Sequence, residues 1–366
     1  MRHASHTKKL VLIAAAALLA PFVPASRAAA ADVPKVIRLG FPGAGSGNRP
    51  LSGGSPLATA QLQGTLEEEF KKDGIKIEWL FFRQAGPAIN ESFANGLLDF
   101  SYEGDLGMII GKAGGLRTRA LAGCAVRLPI AVAVPADSPL KSIADLKGKK
   151  VVISKGTALQ LAADRVLAKF GLTEKDLRVI NIVGPGASDV LATKDADAVF
   201  STGSAFYPLR DRGVARILYE SSEPDVLIQG GFIGTEDFIQ KYPEVTRRVV
   251  KLFVQAAKFS SDEENRAAVF KLWGQDGTGF GYYKENFTDK QTGLPTPLAL
   301  RQTPLLDEYW VTRYRDAISD ALKYRLIRRD IDVGAWIDHR FLDAALQELR
   351  LEKHWVRHGA DGKPLS

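Results

Sequence analysis

The sequence predicts an α/β fold in two lobes, with mostly parallel sheets flanked by helices and two hinge crossings between the lobes. Three observations predict it. Strand-like runs alternate with segments of helical period along most of the chain, as in parallel sheets. The pattern changes from Pro129 and a strand returns after Val226, so one α/β block reads as inserted in another. At 366 residues, with 45% hydrophobic and 25% charged content, the chain is long enough for two cores and has a globular makeup.

Residues 1–31 are a different material. Arg2, Lys8 and Lys9 precede an apolar run over 10–20, and Ala28 to Ala31 offer small residues for cleavage. This reads as a secretory signal peptide, since Pro21 and Pro24 interrupt any membrane span. Its removal takes away Arg2, Lys8, Lys9 and Arg27 and no acid, lowering the formal charge from +7 to +3. That mild excess suits a small anionic solute, and no basic and aromatic cluster points to nucleic acid. Cys124 is the single cysteine, which excludes an internal disulfide. No cysteine follows the signal, so the expectation is a periplasmic protein without a lipid anchor.

The first lobe is expected over 32–127 plus 229–366, with a helical C-terminal extension. Residues 36–41 (VIRLGF) read as its first strand, followed by a glycine-rich loop over 42–55. The GAGSG in that loop fails the dinucleotide fingerprint, because Asn48 stands where the third glycine belongs. A helix over 56–72, a strand over 76–82 and a helix opened by Gly86-Pro87 follow. A strand over 98–102 runs into Glu103-Gly104-Asp105, then come a helix over 106–112 and a strand over 119–126. The second lobe, 128–228, opens with a strand over 130–134. Ser142 and Asp145 form a capping signature, Val151-Val152-Ile153 a buried strand, and 158–170 a helix stopped by Gly171. Gly156-Thr157 sits where that strand ends and that helix begins, a place where free backbone N–H groups face an anion. Strands over 178–183, 197–200 and 215–219 complete the block. Helices dominate after 235, and the tail from Trp355 is expected to be mobile.

No residue pattern points to covalent chemistry. No Gly-x-Ser-x-Gly elbow is present, and Cys124 lies in an apolar run without a histidine partner in view. Glu103 and Asp105 would make an acid–base pair, yet a solvated loop is the plainer reading. His354 and His358 have helical i, i+4 spacing beside a polar tail, which reads as a solvated helix end rather than a metal site. The aromatic run over 280–287 reads as packing, against the alternative of a lid on an organic ligand. What remains is a recurrence of glycine and hydroxyl turns at strand ends: Ser46, Gly86-Pro87, Gly104-Asp105, Gly156-Thr157, Ser188 and Thr202-Gly203-Ser204. Arg83 and Arg127 are candidate countercharges. In α/β sheets ligands collect at such strand ends, where N–H and O–H donors can surround an oxyanion.

Asp137-Ser138-Pro139-Leu140-Lys141-Ser142, followed by Ala144-Asp145-Leu146-Lys147-Gly148-Lys149-Lys150-Val151, resembles the alkanesulfonate-, taurine- and nitrate-binding proteins of ABC importers. The likeness runs from Lys35 to about Val254 and includes Ala85-Gly86-Pro87, Leu98-Asp99-Phe100, Gly104-Asp105 and Lys155-Gly156-Thr157. It implies the two-lobed type II periplasmic-binding fold. It also implies an anionic head held by the loop after the first strand and by Gly86, Pro87, Gly104, Asp105, Gly156 and Thr157. The first loop is longer than the family pattern, and Thr202-Gly203-Ser204 replaces a Trp-Asp-Pro element. Both changes fall where the ligand's organic tail would lie.

The expectation is therefore a non-enzymatic binding component of an importer, taking a small organic anion, most plausibly an aliphatic sulfonate. The expected ligand-binding set is Ser46, Gly86, Pro87, Gly104, Asp105, Arg127, Gly156, Thr157, Thr202 and Ser204. No cofactor, metal or nucleic acid is expected. The expected partners are the solute and an inner-membrane permease, with the protein itself a monomer. The alternatives are nitrate, a neutral or cationic ligand such as a pyrimidine precursor, and a periplasmic enzyme.

Overall fold

The computed structural model describes Met1 and residues 33–365, apart from 44, 46–49, 185 and 222. The signal-peptide reading and the Ser46 expectation fall outside the described residues. The strands in chain order are β1 (Val36–Pro42), β2 (Lys76–Phe82), β3 (Phe100–Gly104), β4 (Thr118–Gly123) and β5 (Ile130–Pro135). Then come β6 (Lys150–Val152), β7 (Arg178–Ile180), β8 (Ala198–Ser201), β9 (Ala215–Ser221) and β10 (Gly230–Thr235). They form two five-stranded sheets, ordered β2-β1-β3-β10-β4 and β7-β6-β8-β5-β9.

The sheets are mostly parallel, as expected: four of the five strands in each run the same way, and one strand in each runs against them, so the pairing is mixed. β1 pairs parallel with β2 and β3, and β6 with β7 and β8, while β10 and β5 run antiparallel to both of their neighbours. The reason is topological. β4 leads out of the first sheet and β9 out of the second, so the strand that follows each crossing enters its new sheet from the opposite end. The two crossings pair with each other: Leu128 and Ile228 exchange both backbone hydrogen bonds, each at 2.9 Å.

β5 shows why the second sheet needs cover on both faces. Ile130, Val132 and Val134 point into one apolar cluster and Ala131 and Ala133 into another. A strand that alternates between two buried faces reads as an unbroken apolar run. The first sheet carries the larger core, in which Phe232 stacks on Phe100 and on Phe253 of the helix Pro243–Ser261.

Several elements are shorter than their sequence pattern. The helix expected over 56–72 breaks at Gly64 (φ 66°), giving Pro56–Gln63 and Thr65–Lys71. The Ser142–Asp145 signature is a true capping box, but it opens only one 3-10 turn, Ile143–Leu146. The stretch over 333–351 is two helices, Val333–Trp336 and His339–Leu349, with Asp332 and Asp338 as separate caps. The tail is packed, not mobile: Trp355 is buried and donates its indole N–H to Ser261 Oγ at 2.8 Å. The aromatic run lies in a satellite core, where Tyr283 and Phe287 pack on Phe270 and Trp273.

Candidate functional site

A cavity of about 270 Å³ lies between the two sheets, walled by strand ends from both. From the first sheet come Pro42 at the end of β1, Tyr102 and Glu103 of β3, and Gly104. From the second come Ser154 just beyond β6, and Ser201 of β8 with Thr202. Leu128, Leu159 and Ile228 give it an apolar wall.

Four helices of nine to twelve residues begin at this cavity: Gly86–Ala94, Asp105–Gly114, Ala158–Lys169 and Gly203–Asp211. Their N-cap residues are Ala85, Gly104, Thr157 and Thr202, and none of the four accepts a first-turn N–H with its side chain. Helices that begin at Ser55, Thr235 and Asp307, by contrast, carry such a cap. Uncapped starts leave amide hydrogens and the positive ends of helix dipoles directed at one space. At the second helix the supply is smaller. The Asp105 N–H goes to the Gln229 carbonyl (2.8 Å) and the Leu106 N–H to Asp105 Oδ1 (2.7 Å).

Of the residues expected from sequence, Gly86, Gly104, Thr157 and Thr202 line the cavity. Pro87 and Gly156 instead meet each other across its edge. A Cβ added at Gly156 would lie 2.9 Å from Pro87 Cγ, and one at Gly86 would lie 2.8 Å from the Gly156 carbonyl oxygen. The Gly156 φ of +73° and the closeness of that approach explain why glycine stands there. Ser204 does not line the cavity and pairs with Thr202 Oγ1 at 3.1 Å.

Asp105 and Arg127 also lie away from the cavity wall, for definite reasons. Asp105 is 1% exposed, and its second oxygen accepts the Gln229 N–H at 3.3 Å, tying a helix start to the second crossing. Burial pushes its carboxyl up to about 6, opposed by the Arg165 charge and by hydrogen bonds from the Gln229 and Leu106 amides. The Arg127 guanidinium sits 3.6 Å above the Tyr309 ring, and its backbone N–H reaches Gln229 Oε1 at 3.3 Å. Both residues hold the crossings together.

Arg83 is the one basic residue of the cavity lining and has no hydrogen-bond or ion-pair partner among the described residues. It is exposed at the mouth. Glu103 corrects the expectation of a solvated loop. It is 1% exposed within the first sheet, opposite Gly231 of β10, and both carboxyl oxygens lack a partner. The sequence carries no signal for this, because only the pairing of its strand within the sheet takes Glu103 out of water. His354 and His358 go to different acids, Asp262 and Asp307. Among the described residues no group of three or more His, Cys, Asp or Glu is placed to hold a metal.

The family model described as NMT1/THI5 like matches residues 68–267, more than half of the chain. The chain belongs to the NMT1/THI5-like family. Its similarity to individual proteins extends further along the chain. A Methylobacillus flagellatus KT structure, assigned as the periplasmic sulfonate-binding protein SsuA of a sulfonate ABC transporter, is 30% identical. That match covers 89% of this chain and 98% of the other, with a TM-score of 0.73. A Bacillus subtilis (strain 168) protein named for aliphatic sulfonate binding is 25% identical over 80% of this chain and 86% of its own. The alkanesulfonate-binding protein SsuA from Xanthomonas axonopodis pv. citri, solved bound to MOPS, shares the fold. It has a TM-score of 0.67 at 22% identity, over 84% of this chain and 100% of the other. The architecture is thus the type II periplasmic-binding fold.

Proposed function

We propose that this protein is the periplasmic solute-binding component of an ABC importer and takes a small organic sulfonate into the cleft between its sheets. The observation that carries the reading is the set of four uncapped helix starts around one cavity. Amide hydrogens at Gly86, Gly107, Ala158 and Gly203, with the Thr202 O–H as a further donor, suit the three oxygens of a sulfonate head. Leu128, Leu159 and Ile228 suit a short aliphatic tail, and about 270 Å³ suits a ligand of few heavy atoms. The named relatives support the same class of ligand. In this reading the solute is held without covalent change, and closure of the cleft presents the complex to an inner-membrane permease.

The test is thermal unfolding of the chain lacking residues 1–31 against methanesulfonate, ethanesulfonate, taurine, MOPS, nitrate and sulfate. A ligand selective for the folded state stabilises it by roughly 2.7 kcal/mol at a hundredfold excess over Kd. A rise in Tm with at least one sulfonate, and recovery of that sulfonate intact, is the expected result. No shift with any of the anions, or turnover of the sulfonate, would overturn the reading.

A further inference from the structure

We infer that Glu103 is a ligand-contacting residue that sets selectivity in the cleft, meeting the bound oxyanion as a neutral carboxylic acid and so coupling sulfonate binding to proton uptake. This deepens the proposed function and rests on it. Glu103 lines the cavity, is almost wholly buried, and leaves both side-chain oxygens without a hydrogen bond. A buried polar group is ordinarily satisfied, so a carboxyl orphaned in this way, within a cavity, marks a partner still to come.

Its position is specific. A Cβ added at Gly107 would lie 2.2 Å from Glu103 Oε1, and one added at Gly86 would lie 3.0 Å from it. The carboxyl therefore lodges between the first turns of two of the helices that open on the cavity, in a slot that only glycines leave free. An anion drawn to those helix starts arrives beside it. Two like charges so close in a dry site exclude one another, and one must be neutralised by a proton.

The groups around Glu103 give no alternative neutralisation. Asp105, on the helix packed against it, is a second acid that faces Arg165 and Gln229. Tyr314, from the helix Glu308–Lys323, and Tyr102, on its own strand, are buried phenols whose acidity burial lowers. Arg83 stands at the mouth. Burial alone pushes the Glu103 carboxyl well above the usual range, with no neighbouring cation opposing it. As the acid, Glu103 has one O–H to donate to a sulfonate oxygen. When it starts ionised, binding takes one proton from solvent onto the carboxylate and releases none.

The test is calorimetric titration of the chain lacking residues 1–31 with ethanesulfonate from pH 5.5 to 8.5, in buffers of differing ionisation enthalpy. Wild-type affinity is expected to fall with rising pH, approaching about tenfold per pH unit once Glu103 is ionised in the free protein. The buffer dependence should report uptake of close to one proton per ligand at the alkaline end. Glu103→Gln keeps a donor and should bind with a flat pH profile. Glu103→Ala should also be flat but bind more weakly than wild type at pH 5.5. Wild-type binding that ignores pH, or that releases a proton, would overturn the inference while leaving sulfonate binding intact. So would a Glu103→Ala variant that binds more tightly than wild type at every pH. No binding by wild type or either variant at any pH would instead sink the sulfonate reading itself, and this inference with it.

Discussion

Glu103 and Asp105 are two residues apart, both 1% exposed, and differently employed. Asp105 spends its carboxylate on two backbone amides and fastens a helix start to the second crossing, while Glu103 faces the cavity unpaired. The Asp105 carboxyl is raised from 3.8 to about 6 in the folded protein, chiefly by burial. The folded state therefore holds its proton more tightly than the unfolded state. Its contribution is fully present below about pH 4 and is lost as pH rises through about 6, by roughly 3 kcal/mol in all. Asp105→Asn should accordingly gain stability relative to wild type as pH rises from 4 to 7, then run parallel to it. Urea unfolding of both proteins across that range checks this, and a constant difference would contradict it. Neither role was legible in the sequence. Glu-Gly-Asp at a strand end is as polar as any loop, and only pairing with β10 takes it out of water.

The elements carry two kinds of ending, and the contrast bears on function. At Ser55, Thr235 and Asp307, away from the cavity, a side chain closes the first turn, although other helices away from it, such as Pro243–Ser261, also start without such a cap. Around the cavity the caps are alanine, glycine and threonines that bond elsewhere; the Thr157 hydroxyl donates to the Ser154 carbonyl at 2.8 Å. Gly-Thr and Thr-Gly-Ser turns were visible in sequence, but their freedom from capping was not, because it depends on rotamers. The C-terminal tail shows the opposite limit of sequence reading. Trp355 sits among polar residues in the chain, yet the tail folds back and buries its ring against the first core. Trp355→Ala should cost about 3–5 kcal/mol, the usual range for a buried tryptophan. Chemical denaturation measures it, and a loss below 1 kcal/mol would mean that the tail contributes little to the fold.

At the scale of the whole molecule, several contacts join the segments on either side of the cleft. Gly104 approaches Ala158 so closely that an added Cβ would lie 2.6 Å from the Ala158 Cβ. Further out, Tyr282 donates to Asp211 at 3.1 Å, Arg210 pairs with Glu285 at 3.0 Å, and Arg165 pairs with Asp320 at 2.8 Å. These outer pairs are partly solvated and worth little each. The Gly104 contact is steric and therefore decisive for closure. Gly104 has extended backbone angles (φ −79°, ψ 160°) that any residue adopts, so substitution tests space rather than strain. Gly104→Val should leave ligand-free stability within about 1 kcal/mol of wild type if the lobes simply part. Its sulfonate affinity should fall at least tenfold, since the observed arrangement, with Gly104 against Ala158, cannot form around a ligand without relieving that clash. Small-angle scattering with and without a sulfonate that raises the wild-type Tm should show contraction of wild type and none of the variant; equal contraction would refute the assignment.

The α/β class, the turn chemistry at the strand ends and the family could be read from the residues alone, because they follow from local periodicity and short motifs. That β5 and β10 run against their neighbours, that Arg127 and Asp105 serve the crossings, and that Glu103 is buried without a partner emerges only from the folded chain. Those outcomes depend on which distant segments meet, and burial and pairing are properties of the meeting rather than of either segment.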